Sequence, residues 1–145
     1  MTDVTMGLQF ECDQLNKISL IRVEGLLTDK SLGILYESNR RHCAVTAALV
    51  GIVDLSSVSE FALTNSFIQQ LANQMPLIAE AKRSCIIVAL EDYAFGLCRM
   101  FQLMGEERRP LLQIVHTMAE AFAAIGIRFP HFASSVLDTD EIPMN

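Results

Sequence analysis

Hydroxyl-bearing side chains crowd two short stretches of the chain, Ser56-Ser57-Val58-Ser59 and Thr64-Asn65-Ser66, with Asp54 just upstream. Just before or at a helix N-terminus, such hydroxyls are placed to carry a phosphate, because unpaired N–H groups and the helix dipole favour an anion there. Thr64 and Ser66 are therefore candidate phospho-acceptors, and Asp54, Ser56 and Ser57 supply the polar part of a candidate partner or ligand surface. The plainer explanation is structural: these residues, with Glu91, Asp92 and Thr117, also cap helices and close turns. Residues 93–104 supply a second candidate surface. Ala94, Leu97, Cys98, Phe101 and Met104 form one apolar stripe at core spacing, while Phe95, Met100 and Leu103 fall off it. Extra apolar residues outside a core face mark a partner or ligand surface, here Tyr93, Phe95, Arg99 and Met100, joined by Phe67 from the preceding helix.

Catalytic constellations are not visible. The chain has no Walker loop, no GxGxxG after a strand, no GxSxG elbow and no HExxH. His42-Cys43 alone does not supply a metal-ligand set, and a histidine at a helix end has a ready partner in the C-terminal dipole. Cys98 stands beside Arg99, but residues one apart point to different helix faces, so Cys98 is read as a small hydrophobe. Glu91 and Asp92 act as acids or bases only if burial shifts them. No catalytic residue, metal or cofactor is assigned.

Composition narrows the class. A chain of 145 residues is one domain's worth, and 51% hydrophobic against 19% charged residues excludes extensive disorder. With 11 basic and 17 acidic residues the net charge is -6, which argues against gripping nucleic acid or docking on anionic lipid. Cys12, Cys43, Cys85 and Cys98 form no CxxC pair, which suits reduced thiols in the cytoplasm. The opening MTDVTMGLQFECD has no basic region ahead of an apolar stretch, so no secretory signal is expected. No apolar run reaches the roughly 20 residues that span a bilayer.

The elements that must position these residues follow from hydrophobic period. Residues 7–11 alternate as a first strand, 13–16 make a turn, and 17–24 form a second strand paired as a hairpin and ended by Gly25. Thr28 or Asp29 caps a helix to about His42. The apolar runs 47–55 and 83–90 suit central strands of a mainly parallel sheet, with a Ser-rich loop and a helix at 63–74 between them. Pro76 breaks or restarts that helix. Acidic Glu91-Asp92 opens the next helix, which stops at Gly105. A charged loop at 106–110, a short strand at 111–115 and a helix with the capping-box pattern Thr117–Glu120 complete the set. The expected fold is a single α/β domain over residues 1–126, with a mixed five-stranded sheet and about four helices, followed by a loosely attached C-terminal tail at 127–145.

This order, with Gly51-Ile52-Val53-Asp54-Leu55-Ser56-Ser57-Val58 closing the central strand, resembles the STAS domains, and more closely the SpoIIAA-like bacterial proteins. The resemblance extends over roughly residues 7–126, and the segment 94–101 adds to it. It implies a STAS-like fold and a small, non-enzymatic switch module that binds a protein partner. In the anti-sigma-factor antagonists of that family, a serine in an Asp-Ser-Ser-Gly motif at the start of the second helix is phosphorylated, and this abolishes partner binding. Counted without gaps from Asp54, the acceptor position here is Leu63, with Thr64 one residue later and Ser66 three later.

The expected function is thus a cytoplasmic, non-enzymatic regulatory or protein-interaction module, acting through a protein partner or as a homodimer. The alternative is a small apolar-ligand or lipid carrier, with its space beside Phe95, Arg99 and Met100.

Overall fold

The computed structural model describes residues 5–135. Strands β1 (Gly7–Asp13) and β2 (Ile18–Thr28) pair antiparallel around a turn that Asp13 closes. Its Oδ1 accepts from the Asn16 backbone N–H at 2.9 Å and its Oδ2 from the Asn16 amide at 2.7 Å. Helix α1 (Asp29–Val45) starts at Thr28, which accepts from the Ser31 N–H while Ser31 bonds back in a capping box. The chain then runs through β3 (Val50–Ala62), α2 (Asn65–Asn73), the single turn α3 (Ile78–Ala81), β4 (Ser84–Val88), α4 (Asp92–Met104), β5 (Leu112–Val115), α5 (Met118–Ala124) and β6 (Ala133–Ser134). The sheet order is β5-β4-β3-β2-β1-β6, parallel from β2 to β5 and antiparallel at β1 and β6. This is the expected α/β class with a mixed sheet, carrying six strands and five helices; the additions are β6 and α3.

Two strands outrun their expected ends. β2 does not stop at Gly25 but passes through it, and register shifts on both sides mark a bulge. Gly25 sits at φ +87, and a Cβ there would lie 2.1 Å from the Thr5 carbonyl oxygen, so glycine allows the strand to continue rather than ending it. The lengthened β2 offers a pairing edge to β3, with Glu24 opposite Ser57 and Gly25 opposite Val58. Residues 56–59 are consequently strand, not loop: ladder pairing overrides the turn preference of serine.

The C-terminal segment also differs from expectation. Residues 127–135 are docked: Ile127 and Phe132 pack on the sheet, the His131 N–H donates to Asp13 Oδ2 at 2.7 Å, and the Ser135 N–H donates to the Phe10 carbonyl at 2.8 Å. Apolar Ile127 and Phe132 carry no period of their own, so only the surface that receives them reveals their role. The rest of the expected tail, including the acidic stretch at 138–141, lies outside the described residues.

The sheet has two covered faces. Ile18, Leu20, Ile52, Ile86 and Val88 point to one, where Ala121 of α5 closes over them. The alternate residues Ile21, Val23, Val53 and Leu55 point to the other, beneath α1, α2 and α4.

Candidate functional site

On the face beneath the three helices, one row across the sheet is built from small residues. Register places Ser19 beside Gly51 and Gly51 beside Cys85, with Leu112 next. Above this row sits Cys43 of α1, so close that a Cβ on Gly51 would fall 2.9 Å from its Sγ. A glycine in a central strand commonly marks such an approach. Over this row and along the same face the helices do not close on the sheet, and a cavity of about 160 Å³ remains. Its walls are apolar: Leu35 of α1, Ile68 and Leu71 of α2, Leu97 and Phe101 of α4, and Ile87 of β4. A space of about 150 Å³ lined by Leu, Ile and Phe is large enough for a benzene ring.

Polar side chains enter at one side. Tyr36 Oη donates to Glu80 Oε2 at 3.1 Å and accepts from Arg109 Nη2 at 2.8 Å. Burial pushes the Tyr36 phenol up, against the downward pull of Arg109. Arg109 also donates to the carbonyls of Leu71, Ala72 and Gln74 at 2.9–3.1 Å, satisfying the C-terminal end of α2, and lies over the Phe101 ring at 5.1 Å. Arg83 donates from Nε to the Ala48 carbonyl at 3.2 Å.

Three of the four cysteines line this space: Cys43, Cys85 and Cys98. Burial raises the Cys43 thiol and pushes Cys85 and Cys98 up to about 12. At neutral pH these are protonated thiols, which behave as small hydrophobes rather than nucleophiles. The chemistry offered is therefore the binding of an apolar group beside a polar rim. Among the described residues, no three His, Cys, Asp or Glu side chains gather as a metal site.

The residues singled out by sequence are spread over the molecule. Asp54 is almost fully buried; its Oδ2 accepts from Arg22 Nη1 at 3.2 Å and its Oδ1 from the Ser56 N–H at 2.9 Å, while Arg22 also reaches Glu11 at 2.6 Å. Ser56 and Ser57 are exposed on β3. Thr64 is the N-cap of α2: Oγ1 accepts from the Phe67 N–H at 3.2 Å and donates to Asp29 Oδ2 at 2.7 Å. Ser66 is exposed, its Oγ 3.3 Å from that of Thr64. Phe67 is half-buried, with Gly33 of α1 beside its ring. Tyr93 is exposed and meets Phe61 edge-on at 6.2 Å. Phe95 stacks on His116 with centroids 4.0 Å apart, Arg99 bonds Gln102, and Met100 is half-buried.

None of Tyr93, Phe95, Arg99 or Met100 lines the cavity. The wall instead takes Ala94, Leu97, Cys98 and Phe101, the stripe expected to be plain core, so the apolar space lies on the opposite side of α4 from the one expected. Helical period identifies the face turned to the sheet but not whether the gap beneath it is filled. Sequence reasoning also missed Tyr36, Arg83 and Arg109; the charge of 106–110 hides an arginine directed inward. The one legible signal was Gly51, inside the apolar run 47–55.

Neither a protein-family model nor a curated protein matches this chain. Among the described residues, no helix is long and apolar enough to cross a membrane.

Proposed function

We propose that this protein is a non-enzymatic, cytoplasmic STAS-like regulatory module that binds a small apolar ligand between its sheet and α1, α2 and α4. The observation that carries the reading is the apolar cavity of about 160 Å³, bordered by protonated thiols and a hydrogen-bonded Tyr36–Arg109 rim. Pockets of this kind, mostly apolar with a few convergent polar groups, are the usual form of a small-molecule site. The STAS-like part rests on the order of elements and on the passage from β3 into an α2 capped by Thr64.

The direct test is titration of the ¹⁵N-labelled full chain with ethylbenzene, followed by amide shifts. Saturable shifts at Gly51, Cys85, Leu97 and Phe101 are expected, with those at Ala121 and Phe122 on the opposite face unchanged. No saturable shift, or shifts spread evenly over both faces, overturns the reading.

A second reading, docking of a protein partner, is favoured by the exposed side chains of Met75, Leu77 and Ile78 between α2 and β4. Within it, Ser66 is the better phospho-acceptor of the two candidates. A phosphate on Thr64 would confront the Asp29 carboxylate and break the cap. Intact-mass and peptide mapping of natively purified protein decide: phosphate on Ser66 supports a switch, and its absence removes it.

A further inference from the structure

The charged residues lining the cavity run against the charge of the whole chain. The protein carries a net charge of -6, yet the lining includes three arginines, Arg40, Arg83 and Arg109, against the single carboxylate of Glu80. That carboxylate is already engaged, accepting from the Leu77 N–H at 3.1 Å and from Tyr36 Oη at 3.1 Å. Arg40 is paired with Glu37. Arg83 and Arg109 have no carboxylate within ion-pairing distance among the described residues. Arg109 spends its terminal nitrogens on three carbonyls and a phenol, all uncharged, so its positive charge is held in place but not neutralised. Among the described residues Arg83 donates from Nε to the Ala48 carbonyl at 3.2 Å and also reaches the Cys43 thiol, both uncharged, so no anion meets its guanidinium. Both guanidinium groups pull the Cys85 thiol down, against burial, Cys43 and the Glu80 carboxylate, so their field reaches the small-residue row without dominating it. Beside an apolar, weakly polarisable space, such a field is screened far less than in water.

We infer that the ligand is an amphiphile with an anionic head, a carboxylate on an apolar body about the size of one aromatic ring, whose head is received by Arg83 in the field of Arg109. The inference rests on the ligand-cavity reading above and adds the chemical class. Arg83 supplies the direct, charge-assisted hydrogen bonds, because a guanidinium fork matches a carboxylate in geometry. Arg109 is a positioning residue: it fixes the end of α2 and contributes charge. The body enters among Leu71, Leu97 and Phe101, where the space limits it to a ring or a short branched chain.

The experiment compares three probes of similar size on the full chain: phenylacetate, ethylbenzene and phenethylamine, titrated by NMR at low ionic strength. Phenylacetate should bind about tenfold more tightly than ethylbenzene, the worth of one good charge-assisted interaction, with phenethylamine the weakest. In Arg83→Gln the ratio of phenylacetate to ethylbenzene affinity should collapse toward one, and Arg83→Lys should restore part of it. Raised salt should narrow the ratio in the wild type and leave it unchanged in Arg83→Gln. Phenylacetate binding no tighter than ethylbenzene, or a ratio untouched in Arg83→Gln, overturns the inference while leaving the cavity reading intact. Binding of none of the three probes removes both.

Discussion

The two faces of the sheet are made from alternate residues of the same strands, yet they are finished differently. Under α5, the side chains of Ile18, Leu20, Ile52, Ile86 and Val88 are large and aliphatic, and one short helix with residues 127–132 closes over them. Under α1, α2 and α4, Ile21, Val53 and Ile87 form an equally aliphatic row, but the row beside it is Ser19, Gly51 and Cys85, and three helices still leave a cavity. Backbone geometry is shared, so it cannot cause the difference. The deficit lies in side-chain volume. A protein interior is normally packed to the density of an organic crystal, and a gap deprives its lining atoms of dispersion partners. Retaining small residues in the centre of a sheet under three helices therefore gives up stability on one face that the other face keeps.

Ile86 and Ile87 are neighbours on β4 and turn to opposite faces, so they provide the sharpest way to break this contrast. Ile86→Ala should cost about 3–4 kcal/mol, because its site cannot collapse. Ile87→Ala should cost about 1–2 kcal/mol, since its side chain already borders empty space. Equal costs in denaturant unfolding would mean that the two faces are packed alike. Next in size is Gly51→Ala. The added methyl meets Cys43 Sγ at 2.9 Å, so that side chain must move toward the cavity; a cost of about 1–3 kcal/mol and weaker ethylbenzene binding are expected together. A stable variant with unchanged binding would show that the floor of the cavity lies elsewhere.

The smallest effect at neutral pH concerns His42, on the helix-covered cavity face. Its ring is buried on α1, with Nδ1 2.8 Å from Ser19 Oγ and Nε2 3.1 Å from Ser135 Oγ in the docked C-terminal segment, and Phe10 lies 5.2 Å away. Burial holds its pKa below the ordinary 6.5. An unfolded chain takes up a proton near pH 6.5 that the folded chain refuses, so stability is full above that pH and falls as the pH drops below it. Urea midpoints between pH 7.5 and 5 should decline in the wild type and run flatter in His42→Gln. Parallel slopes would assign the acid sensitivity to other groups.

Much of the fold could be read from residue order. Thr117 announced its cap, Thr28 was one of two candidates for the first, Gly105 ended α4, the apolar run 83–90 contained a central strand, and the run 47–55 held the first half of another. What escaped depends on partners distant in the chain. Gly25 ends a strand in isolation but permits a bulge once β3 runs alongside, and Ile127 and Phe132 look unstructured until Ile18 and Leu20 are under them. The cavity was hidden for the same reason. It is a volume difference among residues of eight elements, and no local period carries that information. Arg109 was equally unreadable, because its carbonyl partners lie some 35 residues earlier.

The docking of residues 133–134 on β1 bears on how the molecule stays apart from its copies. β1 is seven residues long, and β6 with Ser135 covers its edge at Phe10, Glu11 and Cys12; without them the whole row of N–H and C=O groups would be open. The opposite edge, β5, is only four residues long and is a poor template. A truncation after residue 126, where the composition changes, would uncover the long edge and Phe10 together. The short C-terminal strand thus shortens the part of that edge open to strand-to-strand association, and its removal should show first as loss of solubility.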